Sequence, residues 1–318
     1  MGYNLRMLLR LFKTKPNFDF MGKRWIGFSV SLALTALSIG LVMTEGLNLG
    51  IDFTGGVLME VRTEQVADLS VLRDTLNGQG FGEVSLQDFG DAHNIIIRIQ
   101  TLAGTDQAAV VAKVRELLAT RVQGGIDFRK IDYVGPTVGR ELVQDGIMAV
   151  LIAFGVIMCY VWFRFEWQYG MGAILALLHD SIMVIGFFAV TRFEFGLTAT
   201  AAVLTIVGYS INDSVVIYDR IRENMRKYKK MSVSNLLNLS INDTISRTVL
   251  TASTVLLASL ALALFGGEVI HGFSWAMVFG VVIGTYSSIY ISAPTLIYLN
   301  IRGHAADDAT TPALSTKH

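Results

Sequence analysis

Six long apolar runs restrict this chain more than any other feature. They cover Trp25–Met43, Ile147–Phe163, Met171–Val190, Leu197–Tyr218, Thr248–Phe265 and Trp275–Leu299, each close to the ~20 residues that a helix needs to cross a hydrocarbon layer. Lipid offers no partners to backbone N–H and C=O groups, so segments of this kind must close their hydrogen bonds internally as helices. The composition agrees: 52% of the residues are hydrophobic and the mean hydropathy is +0.51, well above an ordinary soluble domain. The expected fold is an α-helical polytopic membrane protein with six transmembrane helices.

A formal net charge of zero hides a segregation of sign along the chain. Arg6, Arg10, Lys13, Lys15, Lys23 and Arg24 precede the first run against the single acid Asp19, which holds the amino terminus in the cytoplasm by the positive-inside rule. Alternation then puts the segment between the fourth and fifth runs on the same side. That segment carries Arg220, Arg222, Arg226, Lys227, Lys229 and Lys230, while "TRFEFG" and "GGEVIH" on the opposite side are nearly free of basic residues. A cleaved signal peptide is the weaker reading of the start, because the apolar run exceeds a usual h-region and no A-x-A site follows it. The expected boundaries are a cytoplasmic arm over 1–24, the first span over 25–43, an external domain over 44–146, the other five spans over 147–300, and a polar, disordered cytoplasmic tail over 301–318.

The external segment is patterned like a water-soluble domain. "VLMEVR" (Val57–Arg62), "FGEVSLQDF", "NIIIRIQ" (Asn94–Gln100) and "IDFRKIDYV" read as strands, and Ala67–Leu76 and Gln107–Thr120 as helices, from their periods of two and of 3.6. The order β-α-β-β-α-β describes an inserted small α+β, ferredoxin-like domain. No clustered His, Cys or paired acids suggest an enzyme site there, so a binding or coupling module is the plainer reading. "GIDFTGG" enters this domain and "VGPTVG" leaves it. Gly50, Asp52, Gly55 and Gly56 at one junction, with Gly135, Pro136 and Gly139 at the other, read either as plain linkers or as hinges.

The single cysteine, Cys159, lies within the second span. It excludes disulfides and cysteine-rich metal sites.

Carboxylates inside apolar runs carry the functional argument. Thr205, Tyr209 and Asp213 share one helical face in the fourth span, with Ser210 beside it. A charged Asp at the bilayer centre costs roughly 2.5–3.5 kcal/mol on insertion scales and marks ion pathways or buried pairs. Arg247, Thr251 and Thr254 form a matching face that opens the fifth span. An Asp213–Arg247 pair could lock two helices statically, or could poise a carboxylate for proton exchange. His179 and Asp180 sit mid-way along the third span and point about 100° apart, so they should not face one partner: one could relay protons while the other is structural. Gly280, Gly284, Ser288 and Ser292 make a small-residue stripe on the sixth span suited to helix packing. Arg164 and Glu166 in "RFEW" belong to a short cytoplasmic turn.

"GIDFTGG", "VGPTVG", "FRFEW", "HD" at His179–Asp180, "GYSINDSVVIYDRIREN" from Gly208 and "SRTVLTASTVLLA" from Ser246 occur in this order at these positions. Together they closely resemble the SecF side of the SecD/SecF family, membrane subunits of bacterial protein export within the resistance-nodulation-division (RND) superfamily. The resemblance covers about Phe20 to Asn300. It implies one six-helix half of an RND-type unit, in the bacterial inner membrane, whose other half is SecD, the pair assisting the SecYEG channel by using the proton motive force to draw a preprotein outward. It implies SecD, SecYEG, YajC, the translocating preprotein and membrane lipid as partners, and a proton pathway through Asp213, Arg247, Thr251 and Asp180. No cofactor, metal site or nucleic acid is expected.

Two rival classes fit less well. A proton-driven small-molecule or lipid exporter of RND type would want two six-span halves with large external domains. An intramembrane enzyme would want a nucleophile and a base, yet Ser210 has no suitably placed histidine, and the chain carries no phosphate-cradling Gly-rich lysine motif.

Overall fold

The computed structural model describes residues 16–82, 84–101, 105–122, 124–299 and 301. The basic residues Arg6, Arg10, Lys13 and Lys15 and the tail beyond residue 301 lie outside the described residues.

A first long helix, α1 (Arg24–Glu45), leads to a single turn, α2 (Ile51–Thr54). The external domain follows as β1 (Gly56–Thr63), α3 (Leu69–Asn77), β2 (Val84–Phe89), β3 (Asp91–Ile99), α4 (Gln107–Arg121) and β4 (Ile126–Val134). Long helices then return: α5 (Pro136–Arg164), α6 (Trp167–Thr191), α7 (Leu197–Lys227) and α8 (Val233–Phe265). The last is composite, with α9 (His271–Ser287), a π turn (Ser288–Ser292) and α10 (Ala293–Tyr298) end to end. Among the described residues, six helical segments are long and apolar enough to cross a membrane.

The external sheet is antiparallel throughout in the order β2-β3-β1-β4, the ferredoxin-like arrangement expected from the sequence. Alternation decides its faces. Val57, Met59 and Val61 on β1 and Ile95, Ile97 and Ile99 on β3 all point to the helix side, where Leu72, Leu76, Val110, Val114 and Leu118 close the core. Each helix begins at an aspartate: Asp68 accepts from Ser70 N at 2.9 Å and Val71 N at 3.3 Å, and Asp106 from Ala108 N at 3.0 Å. These caps satisfy amide groups that the first turn leaves unpaired.

In the membrane part α6 lies between α1, α5, α7 and α9. α6 and the α9–α10 segment are mostly buried, whereas α1, α5 and α8 leave most of their apolar surface uncovered.

The helices outrun the expected spans. α5 starts at Pro136 rather than near Ile147, because Pro136 occupies the first helical turn after an extended Gly135, where its missing N–H costs nothing. The "VGPTVG" junction is therefore a helix start. α6 starts at Trp167. α7 continues to Lys227 as a charged extension tied down by Arg164–Asp219 at 2.9 Å and Arg220–Asp243 at 2.6 Å. α8 starts at Val233, capped by Ser232, so Arg247 sits within a helix instead of opening one. The π turn precedes Pro294, which has no amide proton to give back to the preceding turn.

Candidate functional site

Asp180 on α6 is fully buried and joins three helices. Its Oδ2 accepts from Ser210 Oγ of α7 at 2.5 Å and from Ser287 Oγ of α9 at 2.7 Å, while Oδ1 lies 3.0 Å from His179 Nδ1. His179 and Asp180 also meet each other: the imidazole turns back along the helix to its neighbour's carboxylate. His179 Nε2 is buried with no partner among the described residues. Its ring lies 6.4 Å from that of Tyr286, whose hydroxyl donates to Gly27 O at 2.8 Å and accepts from Ser31 Oγ at 3.1 Å on α1.

One turn beyond Ser210 on α7 lies Asp213, buried at 2% exposure. Asp213 Oδ2, Tyr209 Oη and Thr285 Oγ1 are three buried polar atoms of neighbouring helices. Thr285 of α9 is a neighbour of both of the others.

Arg247 on α8 acts on Asp213 at Coulombic range, and no ion pair joins them among the described residues. The arginine is exposed on this chain. Thr251 and Thr254 direct their hydroxyls back into α8, to Arg247 O and Thr248 O, both at 3.0 Å, and to Thr251 O at 2.8 Å. The structure therefore separates two polar groups: one around Asp180, bonded by Ser210 and Ser287, and a second of Asp213, Tyr209 and Thr285, with Arg247 at longer range.

The small-residue stripe packs within the chain. A Cβ on Gly280 would lie 2.3 Å from Ile206 Cδ1, and one on Gly284 3.0 Å from Ser210 Cβ. Ser288 bonds Thr285 O at 2.9 Å and Ser292 shares a 2.5 Å hydrogen bond with Tyr218 Oη.

The two junction motifs meet. Gly55 and Gly56 have φ of +71° and +131°, values that favour glycine. A Cβ on Gly139 would lie 3.0 Å from Gly55 N, and one on Gly55 2.8 Å from Pro136 Cα. Asp52 Oδ2 accepts from Leu197 N at 3.0 Å, and Gly50 N donates to Phe195 O at 3.1 Å.

Sequence reasoning missed the docking of the segment before α1. Phe20 N and Met21 N both donate to Asn238 Oδ1 at 2.9 Å, and Asn242 exchanges bonds with Phe18 N and O at 2.8 and 2.9 Å. The i, i+4 asparagines within an apolar helical stretch were the available signal. Among the described residues no group of three His, Cys, Asp or Glu side chains could hold a metal ion.

Comparison with known proteins matches residues 113–302 to the family "Protein export membrane protein SecD/SecF, C-terminal" and residues 40–65 to the "SecD/SecF GG Motif". The chain is 48% identical over 288 residues to Protein translocase subunit SecF of Rickettsia bellii (strain OSU 85-389), which covers 91% of this chain and 95% of the relative. It is 47% identical to the same-named protein of Rickettsia prowazekii (strain Madrid E), over 91% of this chain and 93% of the relative. The crystal structure of SecDF, a translocon-associated membrane protein from Thermus thermophilus, matches with a TM-score of 0.81 and 37% identity, over 91% of this chain and 39% of that one. SecDF in a super-membrane-facing form matches with a TM-score of 0.68 and 36% identity, over 94% of this chain and 41% of that one. The chain thus spans nearly all of the SecF relatives and about two-fifths of SecDF.

Proposed function

The chain belongs to the SecD/SecF family of protein export membrane proteins, and we propose that it is the SecF-type half of an export unit completed by SecD. In this reading it lies in the bacterial inner membrane with both termini in the cytoplasm and the ferredoxin-like domain outside. It assists the SecYEG channel, with YajC as a further neighbour, and uses the proton motive force to draw a preprotein outward. Asp213 exchanges the proton, Arg247 and Thr251 set the electrostatics of that exchange, and Asp180 belongs to the same relay.

The observation that carries this reading is Arg247. A guanidinium within a membrane-spanning helix must face protein or a water-filled space, yet on this chain it is exposed and has no ion-pair partner among the described residues. A second subunit that covers it would also enclose the polar group around Asp213. The small-residue stripe on α9 does not serve that contact, because α7 already fills it. The proposed hinge lies within the two junctions that carry Gly50, Asp52, Gly55, Gly56, Gly135, Pro136 and Gly139.

Co-purification from native membranes tests the heteromer, with a stable SecD-like partner as the expected result. Reconstituted alone in proteoliposomes, the chain should show no proton-coupled transport. Such transport by the lone chain would refute the reading.

A further inference from the structure

α7, the helix that carries Asp213, does not cap its own amino terminus. Its N-cap position is Gly196, which has no side chain, and the acceptor comes from elsewhere: Asp52 Oδ2 takes the Leu197 amide at 3.0 Å. A Cβ on Gly196 would lie 2.7 Å from that same oxygen, so the glycine leaves the place that the remote carboxylate fills. A carboxylate there is favoured both by the unpaired amides of the first turn and by the positive end of the helix dipole.

Backbone contacts reinforce this join. Leu49 pairs with Phe195 in a parallel bridge, Phe195 N donates to Asn48 O at 2.8 Å, and Gly50 N donates to Phe195 O at 3.1 Å. The segment Asn48–Thr54 therefore travels with the loop Arg192–Gly196. Past Thr54 the character changes to the positive-φ glycines Gly55 and Gly56, with extended Gly135 beside them on the return path.

The external domain has a second, different hold on the same loop. Arg98 on β3 forms an ion pair with Glu194, beside a small apolar cluster of Ile51, Leu58 and Ile96. This pair depends on long side chains at the edge of an open cavity of about 1060 Å³ between the sheet and the membrane part. It can open without breaking any backbone bond.

We propose that Asp52 is a positioning residue that makes α7, the Asn48–Thr54 strap and the Arg192–Gly196 loop one rigid body. The external domain turns on that body at Gly55–Gly56 and Gly135, and Arg98–Glu194 opens as it turns. A change at Asp213 thereby reaches the external domain through the amino terminus of its own helix. The inference rests on the proposed role of Asp213 and adds the route by which that role is transmitted.

The test uses the full complex in liposomes with Cys159→Ser and two labelled cysteines, Ser85→Cys on the external domain and Val269→Cys on the membrane part. The distance between the labels is read by pulsed electron resonance. Asp213→Asn is expected to shift the distance distribution. Asp52→Ala should abolish that shift, and Asp52→Asn, which keeps an acceptor in place, should retain it. The deciding variant is Asp52→Ala with Gly196→Ser, which gives α7 a cap of its own: folded yield should recover while the shift stays lost. Recovery of both would reduce Asp52 to a helix cap and overturn the proposal. So would a shift that survives Asp52→Ala, or labels that ignore Asp213→Asn. Failure of the export reading would be seen separately, as wild-type complex with no gradient-dependent export.

Discussion

Asp180 and Ser210, from neighbouring helices α6 and α7, are joined by a 2.5 Å hydrogen bond at the centre of the membrane domain. Ser287 of α9 donates to the same oxygen at 2.7 Å, so one buried carboxyl group fixes the mutual position of three helices. Leaving such a group short of a donor costs about 1–3 kcal/mol. Ser210→Ala and Ser287→Ala should each lower the thermal midpoint of the purified complex. Because both hydroxyls serve one oxygen, the double variant should lose more than the sum of the singles. Strict additivity would show that the carboxyl group finds another donor.

Packing at Gly284 is a second measurable consequence. Alanine is intrinsically better than glycine in a helix by about 1 kcal/mol, but its methyl group would stand 3.0 Å from Ser210 Cβ and 3.4 Å from Ser210 Cα. Overpacking a tight contact costs roughly 1–3 kcal/mol, enough to cancel the gain. Gly284→Ala is expected to be neutral to mildly destabilising in a thermal melt. Gly284→Leu should prevent accumulation of folded protein, and a normal yield of that variant would show that α7 and α9 are less closely apposed.

In the external domain the cap of α3 is acid-sensitive. The hydrogen bonds from the Ser70 hydroxyl and then from the Val71 and Ser70 amides hold the Asp68 carboxyl below its ordinary value of 3.8. A lowered folded-state pKa means that the stabilisation is present above that ordinary value, which the unfolded chain keeps, and is lost as pH falls through the folded value. Hydrogen exchange of the first turn of α3, corrected for intrinsic rate, should therefore speed up below about pH 4. Asp68→Asn should keep the cap and lose the pH response, while Asp68→Ala should exchange faster at every pH.

The sequence shows the membrane spans and the strand order plainly, because run length and period report burial directly. Helix ends were less legible. Pro136 carried a start signal, but the glycines around it read equally well as linker, and the charged stretches of α7 and α8 hid helices that continue past the apolar region. The relation of Asp52 to Leu197 could not be read at all: a cap supplied from a distant segment leaves only a glycine at the helix's own cap position. The contact between His179 and Asp180 was not legible either, since the 100° rule describes Cβ directions while an imidazole is long enough to reach its neighbour. For Asp213 and Arg247 the shared faces were readable from spacing, and their separation without an ion pair was not.

That separation sharpens the last prediction, which concerns Asp213 and Arg247 as one proton-handling unit. Moving one charge through about 100 mV releases about 2.3 kcal/mol, comparable to the roughly 2.5–3.5 kcal/mol cost of an aspartate at the membrane centre, so the gradient is large enough to alter the state of such a site. Asp213→Asn keeps the size and hydrogen-bonding capacity but removes titration. Arg247→Met keeps bulk and leaves the carboxyl group without its cation. Neither change breaks a direct ion pair, so both variants should assemble with the partner at normal yield. Both should lose the gradient-dependent part of preprotein export while ATP-driven insertion continues. A purely structural pair would behave otherwise: each single change would lower complex yield, and the double variant would regain yield and export together. Complex yield and gradient-dependent export, measured side by side in the two singles and the double, separate the outcomes. Recovered export in the double variant would refute the proton-handling role.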